Sequence, residues 1–226
     1  MNAEKKKALK KIGIVSLACL AVIAGSFGAT WAYYSDGQSL ENPLTTPHSG
    51  AAVVEEFDPD SSFLPGETVP KKVAFQNTGD MDLYLRVKIP PAEGWFTPSQ
   101  GGPAQENQKL RTDQVIKEWT EYWGAEDTGN GGWADGTEWV TVGEYRYYKK
   151  VLPKGETTNN ILESIKLSPE VSNDRHAANY SDQIYKLTFD AEAVPVYDDG
   201  QSGVEEEWNI KVTKGADGSL TWSAGS

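Results

Sequence analysis

The sequence predicts an all-β fold, an antiparallel β-sandwich with at most one short helix. Eight or so short segments alternate apolar and polar residues and are separated by turns rich in Gly, Pro, Asn and Asp. Eight tryptophans and ten tyrosines in 226 residues suit strands better than helices. With 38% hydrophobic residues the chain can build a core. Strand-length segments at this spacing are typical of immunoglobulin-like sandwiches.

The first predicted strands lie between residues 51 and 89. AAVVEEF (Ala51–Phe57) is a short strand candidate. Val69–Asn77 alternates in part, and Leu83–Ile89 alternates throughout, with Leu, Leu, Val and Ile on one side. The turn NTGDMD joins these two segments, which predicts an antiparallel hairpin.

The middle of the chain contains one ambiguous segment. Pro90 and Pro91 end the preceding strand, and residues 93–109 are predicted as a loop. Thr112–Trp123 reads equally well as a helix, with Thr112 as its cap, or as a strand with bulky residues on both faces. The segments on either side of Gly143 predict a second hairpin.

The remaining segments predict four further features. ILESIKL, residues 161–167, is a strand with one slip in its alternation, and Asp182–Val194 is one long strand. Residues 196–208 read as an acidic loop. Residues 208–222 predict a short hairpin that turns through Gly215–Gly218.

The N-terminus has the layout of a secretory signal peptide. Five lysines between Lys5 and Lys11 precede an apolar stretch of about twelve residues and then small residues. Cleavage between Ala32 and Tyr33 would place Thr30 and Ala32 at positions −3 and −1. The apolar stretch is short for a retained membrane anchor, which is the alternative. We therefore expect a signal peptide at 1–32, a flexible arm at 33–50 and a single sandwich domain at 51–226.

The net charge argues against two classes of partner, and the cysteine count argues against a disulfide. Removing residues 1–32 takes away five lysines and one glutamate, so the net charge falls from −12 to about −16. Such an acidic surface argues against binding to nucleic acid and, after processing, to anionic membranes. The only cysteine, Cys19, lies in the expected signal peptide, so the mature chain has no disulfide.

No pattern for catalysis or for a cofactor is found. The two histidines, His48 and His176, do not form a metalloprotease motif, and no nucleophile motif occurs. A calcium loop at residues 127–138 would need oxygen side chains where Gly129 and Gly131 stand. We therefore expect a protein that is not an enzyme and has no catalytic residue, metal or cofactor.

Four parts of the chain resemble a known family. The leader ends in TWAYYSD (Thr30–Asp36), which resembles signal peptides cleaved by the SipW-type signal peptidase. Val53–Ile89 then resembles the opening of BsaA-like, SipW-dependent biofilm matrix proteins, relatives of TasA and camelysin. Glu144–Leu162 and Tyr185–Val194 are similar to the same pattern.

The resemblance implies a jelly-roll-like sandwich that is secreted to the matrix or surface of a Gram-positive bacterium and assembles into fibres. Its partners would be further copies of itself, the SipW-type signal peptidase and an accessory fibre protein. In this family a donor strand of one subunit completes the sheet of the next, which gives head-to-tail polymers. Val53, Val54 and Phe57 are then the candidate donor-strand anchors. Alternatively, AAVVEEF is the first strand of its own domain and the donor lies in Tyr33–Thr46.

A monomeric binding module is the second hypothesis. Four tryptophans fall in or near predicted loops, where residues that bind ligands gather. These are Trp95, Trp123, Trp133 and Trp139. A secreted sandwich could use them to stack on a carbohydrate or on another surface partner.

Overall fold

The computed structural model describes residues 50–57, 63–99, 102–127, 132–171, 180–197 and 203–225. The chain divides into a unit formed by Asn42–Pro98 and Gln105–Ser226 and a second unit formed by Met1–Glu41 and Ser99–Ala104. Of the second unit, Ser99 and 102–104 are described. The expected signal peptide, with its cleavage site at Ala32 and Tyr33, and nearly all of the expected arm lie outside the described residues.

The described chain is an all-β sandwich built mainly from two four-stranded sheets, which confirms the predicted fold class. The first sheet has the order β1 (Ala51–Phe57), β2 (Thr68–Asn77), β11 (Leu162–Leu167) and β6 (Val115–Trp119). The second has the order β13 (Ala191–Pro195), β3 (Leu83–Lys88), β10 (Tyr145–Tyr148) and β9 (Trp139–Val142). Every neighbouring pair in both sheets is antiparallel.

Three smaller sheets complete the fold. β12 (Ile184–Thr188), β4 (Ala92–Ser99) and β5 (Gly102–Glu106) form one sheet in that order. The other two are the pairs β14 (Ile210–Lys214) with β15 (Leu220–Ala224) and β7 (Glu126–Asp127) with β8 (Gly132–Trp133). A 3₁₀ turn spans Thr112–Gln114, and the one α-helix of the described chain, α1, spans Val204–Trp208.

Strand β3 has one face in each of two hydrophobic clusters. Leu83, Leu85 and Val87 belong to the main core together with Val73 and Phe75 of β2. Tyr84, on the opposite face, belongs to a second cluster that α1, β14 and β15 cover. The alternation of β3 therefore separates two faces that are both covered by other parts of the chain.

The predicted hairpin between Val69–Asn77 and Leu83–Ile89 is wrong, because β2 and β3 lie in different sheets. Buried Asn77 fixes the crossing between them. Its Nδ2 donates to the carbonyls of Met81 (2.8 Å) and Leu152 (3.0 Å), and its Oδ1 accepts from the N–H of Gly79 (2.9 Å). Side-chain bonds of this kind offer the backbone an alternative to a hairpin ladder.

Three other local predictions are corrected. The predicted long strand Asp182–Val194 is two strands, β12 and β13, which pair in different sheets. The predicted loop 93–109 contains strands β4 and β5, and the predicted acidic loop contains α1.

Thr112–Trp123 follows the strand alternative, since a 3₁₀ turn leads directly into β6. The hairpins β9–β10 and β14–β15 are confirmed, and the slip in ILESIKL is a register shift between Leu162 and Ser164.

Candidate assembly edge

The first sheet ends in two edge strands of different character, β1 and β6. Each pairs on one side only within the described residues, β1 with β2 and β6 with β11. Each of these edge strands carries one exposed apolar side chain. Val53 of β1 is 37% exposed and Ile116 of β6 is 51% exposed. Exposed edge strands present backbone groups to which another chain can bond.

The hydrogen bonds of β6 show which of its backbone groups point outward. The N–H of Ser168 donates to the carbonyl of Gln114 (2.8 Å). Backbone groups alternate in direction along a strand, so those of Ile116 and Glu118, two and four residues on, also point toward β11. The backbone groups of Lys117 and the N–H of Trp119 therefore point away from the sheet. The N–H of Val115 is used by the 3₁₀ turn, where it donates to Thr112.

A groove of about 640 Å³ runs along this outer edge. It is lined by β6, by the 3₁₀ turn before it, by residues that follow it up to Glu126, and by Glu93 of β4. The groove thus lies beside backbone groups that a further strand could reach.

A part-buried ion pair lines the groove. Lys117 Nζ is 2.8 Å from Oε2 and 3.0 Å from Oε1 of Glu93, and the side chain of Lys117 is only 11% exposed. The hydroxyl of Tyr185 also donates to Glu93. Burial, followed by the charge of Glu93, raises the pKa of Tyr185 well above its usual range, so this phenol stays protonated. Lys117 is therefore an inward-facing charge on an edge strand.

The structure places the candidate donor-strand anchors in β1. Val53, Val54 and Phe57 lie in a strand that is in register with β2 from Ala51↔Asn77 to Phe57↔Lys71. Val54 is half-buried, and Phe57 packs against the main core. In this structure β1 is a strand of its own domain, which is the alternative that the sequence left open. A role as a donor in assembly stays a prediction.

Strand β1 also has an inward-facing charge at its centre. The N–H of Thr78 donates to the carbonyl of Gly50 (2.9 Å). The backbone N–H and carbonyl groups of the even-numbered residues of β1 therefore point toward β2, and those of Val53 and Glu55 point outward. The side chain of Glu55 pairs with Lys71 at 2.8 Å and is 24% exposed. β1 also approaches β13 without pairing to it.

The four tryptophans that suggested a binding module are not exposed rings on which a ligand could stack. Trp123 and Trp139 are fully buried, Trp95 is 2% exposed, and Trp133 is partly buried against the main core. Trp123 and Trp139 pack edge to face, with ring centroids 4.9 Å apart. These side chains support the fold.

A buried arginine lies within this tryptophan cluster. The guanidinium of Arg146, which is fully buried, lies 4.7 Å from the ring of Trp123 and 5.4 Å from that of Trp133. Its Nη2 donates to the carbonyls of Trp123 and Ala134 (3.0 Å for the latter). Burial lowers its pKa to about 10. The sequence does not reveal this residue, because YRYY gives no sign that its one charged side chain turns inward.

The side chains considered for a calcium loop make other contacts in the structure. No group of three or more His, Cys, Asp or Glu that could hold a metal occurs among the described residues. In the segment considered as a calcium loop, Glu138 is buried and accepts from Lys150 Nζ at 2.6 Å, and Asp135 accepts from the N–H of Thr141 at 2.9 Å. Of the helices that the structure describes, none has the length and apolarity needed to span a membrane.

Comparison of the chain with models of known protein families, with curated proteins and with solved structures gave no match.

Proposed function

We propose that this chain is a secreted structural protein, a subunit of extracellular matrix fibres of a Gram-positive bacterium. Copies of the chain polymerise head to tail by adding a strand of one subunit to a sheet of the next. The leader with the TWAYYSD ending supports export through a SipW-type signal peptidase. The observation that carries the assembly step is the outward-facing backbone of β6 beside its groove.

The other edges offer less to an incoming strand. Strand β15 lies beside β9, so that edge of the second sheet is flanked within the described chain. The edge of β6 combines a groove, an exposed Ile116 and outward backbone groups. Strand addition gains main-chain hydrogen bonds along such an edge and side-chain contacts on both faces.

A proline at Lys117 tests this role of β6. The N–H of Lys117 points away from β11, so Lys117→Pro removes no bond inside the sheet but withdraws a donor from the edge. We expect the mature chain, residues 33–226, to form regular filaments in negative-stain electron microscopy and the proline variant to remain as single particles. Lys117→Met is the control matched for charge, because it loses the same ammonium group as the proline variant, and with it the ion pair with Glu93, but keeps the N–H. Filaments from the proline variant would contradict assembly at β6.

A monomeric carbohydrate-binding module is the second candidate. The groove contains half-buried Trp119 next to several carboxylates, a combination that carbohydrate sites use. Saturable binding of a glycan by calorimetry, without any polymer in the same sample, would favour this function over the fibre subunit.

A further inference from the structure

The two edges of the first sheet are antiparallel to each other because the sheet contains four alternating strands. β1 and β2, β2 and β11, and β11 and β6 are each antiparallel. β1 and β6 therefore run in opposite directions. A second copy related by translation would place its β1 beside β6 in the antiparallel sense, which is the better hydrogen-bonded arrangement.

The inward-facing charges on the two edges are opposite in sign. Glu55 stands on the inner face of β1 and Lys117 on the inner face of β6. Inward-facing charges on edge strands oppose pairing of an edge with a copy of itself. In a self-pairing centred on these residues, two β1 edges would bring Glu55 against Glu55, and two β6 edges would bring Lys117 against Lys117. Only the pairing of β1 with β6 brings unlike charges together.

We propose that β1 of one copy, still paired with its own β2, adds to β6 of the next copy with Glu55 directly opposite Lys117. This inference rests on the proposed function and specifies its partner and register. The two copies then share one continuous sheet, and neither gives up a strand. Because the two edges differ, the contact does not close and the product is a filament.

The register follows from the backbone groups that face outward. With Glu55 opposite Lys117, the N–H and carbonyl of each residue meet those of the other, and the Val53 carbonyl meets the N–H of Trp119. Inner-face residues then align with inner-face residues across the new junction. Val53 lies opposite half-buried Trp119, and Phe57 lies opposite buried Val115. A shift by two residues in one direction would place Val53 against Lys117 and Glu55 against Val115.

Charge reversal tests the pairing of Glu55 with Lys117. We expect Glu55→Lys and Lys117→Glu each to raise the protein concentration needed for filaments about tenfold, since each converts an attraction into a repulsion. The double variant restores opposite charges between copies, while its contacts with Lys71 and Glu93 inside each copy stay broken. If the double variant forms filaments at a lower concentration than the single variants, the gain comes from the contact between subunits.

Glu56→Lys is the matched control for Glu55→Lys. Glu56 also pairs with a lysine of β2, Lys72 at 3.1 Å, but it stands on the outer face, where the proposed register sets it opposite Ile116. We expect this variant to form filaments at least as readily as the unchanged protein.

Cysteine pairs test the register itself, because residues 33–226 contain no native cysteine. Val54→Cys on one copy and Glu118→Cys on another are directly opposite in a non-hydrogen-bonded pair, within the range of a disulfide. Val54→Cys with Ile116→Cys is displaced by two residues and beyond that range. We expect the first mixture to cross-link on oxidation and the second not to.

Three outcomes decide the proposal. The proposal is supported if each single charge reversal raises the protein concentration needed for filaments, if the double variant lowers it again, and if the expected cross-link forms. This register is overturned if neither charge reversal changes the protein concentration needed for filaments, or if only the displaced cysteine pair cross-links. Neither of these results would contradict the fibre function. An unchanged mature chain that stays monomeric at every concentration tested would overturn both.

Discussion

The guanidinium of Arg146 lies over the indole ring of Trp123, 4.7 Å from its centroid, and also donates to the carbonyl of Trp123. One side chain thus packs on a ring and bonds the backbone of the same residue. Its Nε and Nη1 have no hydrogen-bond partner within the described part of the chain. This charge is buried by tryptophans, so the interactions that it does make are important for the fold.

Arg146→Ala should lower the free energy of unfolding by about 3 kcal/mol, because it leaves a cavity among the tryptophans and unbonded carbonyls at Trp123 and Ala134. Urea denaturation measures the loss. Arg111→Ala is the control, since the side chain of Arg111 is 71% exposed and its removal should cost less than about 0.5 kcal/mol. Equal losses for the two variants would contradict a structural role for Arg146.

Gly136 lies against the backbone of the turn that carries Trp123. A Cβ built on Gly136 would collide with the backbone of Tyr122 and Trp123, whereas one built on Gly132 would meet nothing within 4 Å. We expect Gly136→Ala to lower the free energy of unfolding by more than about 2 kcal/mol and Gly132→Ala to change it little. Thermal denaturation of the two variants side by side checks the contrast. A Gly136→Ala protein as stable as the control would show that the two segments can separate without cost.

Buried tyrosines should make the fold sensitive to alkali. Burial, followed by the charge of Glu138, raises the pKa of Tyr148 to about 12 from its usual 10. Between these values the unfolded chain has released the proton that the folded chain keeps, so stability that is complete below pH 10 falls as pH rises toward 12. Tyr185, whose pKa is also raised, acts in the same direction.

The measurement is urea denaturation at neutral pH and at several values between pH 10 and pH 12. Tyr148→Phe removes one of the titrating groups, so its stability should fall less steeply across this range. A variant that loses stability as steeply as the unchanged protein would assign the alkaline effect to other groups.

Salt should promote assembly. Every subunit carries the same negative net charge, −12 for the whole sequence, so subunits repel one another. Raising the ionic strength from about 0.01 M to about 0.15 M shortens the screening length from about 30 Å to about 8 Å. We expect filaments to form at lower protein concentration in the higher salt, as measured by sedimentation. The opposite trend would mean that attraction between Glu55 and Lys117 outweighs the repulsion of the whole subunits.

Much of the fold could be predicted from local patterns in the sequence. Strands β1, β2 and β3 follow their alternation, and Gly143 and Gly215 mark turns of confirmed hairpins. Pairing between distant strands could not be predicted in this way. The bonds of Asn77 send β2 and β3 to different sheets, and nothing in NTGDMD distinguishes this crossing from a hairpin turn.

The candidate edge was only partly visible in the sequence. The sequence points to Val53, Val54 and Phe57 as candidate anchors but not to the surface that could receive them, because Thr112–Trp123 allows a helix as well as a strand. Lys117 becomes informative only when β6 is placed at a sheet edge and Glu93 of another sheet is placed below it. Such contacts depend on the order of strands, which local alternation does not encode.

Two unlike edges on one sheet give any filament built from them a polarity. One tip would end in an unoccupied β1 and the other in an unoccupied β6, so the two tips would grow at different rates. A copy that is blocked at β6 but intact at β1 could join only the tip that exposes β6, and it would then act as a terminator there. A small fraction of such copies in a growing population would shorten the filaments while leaving the opposite tip free to extend.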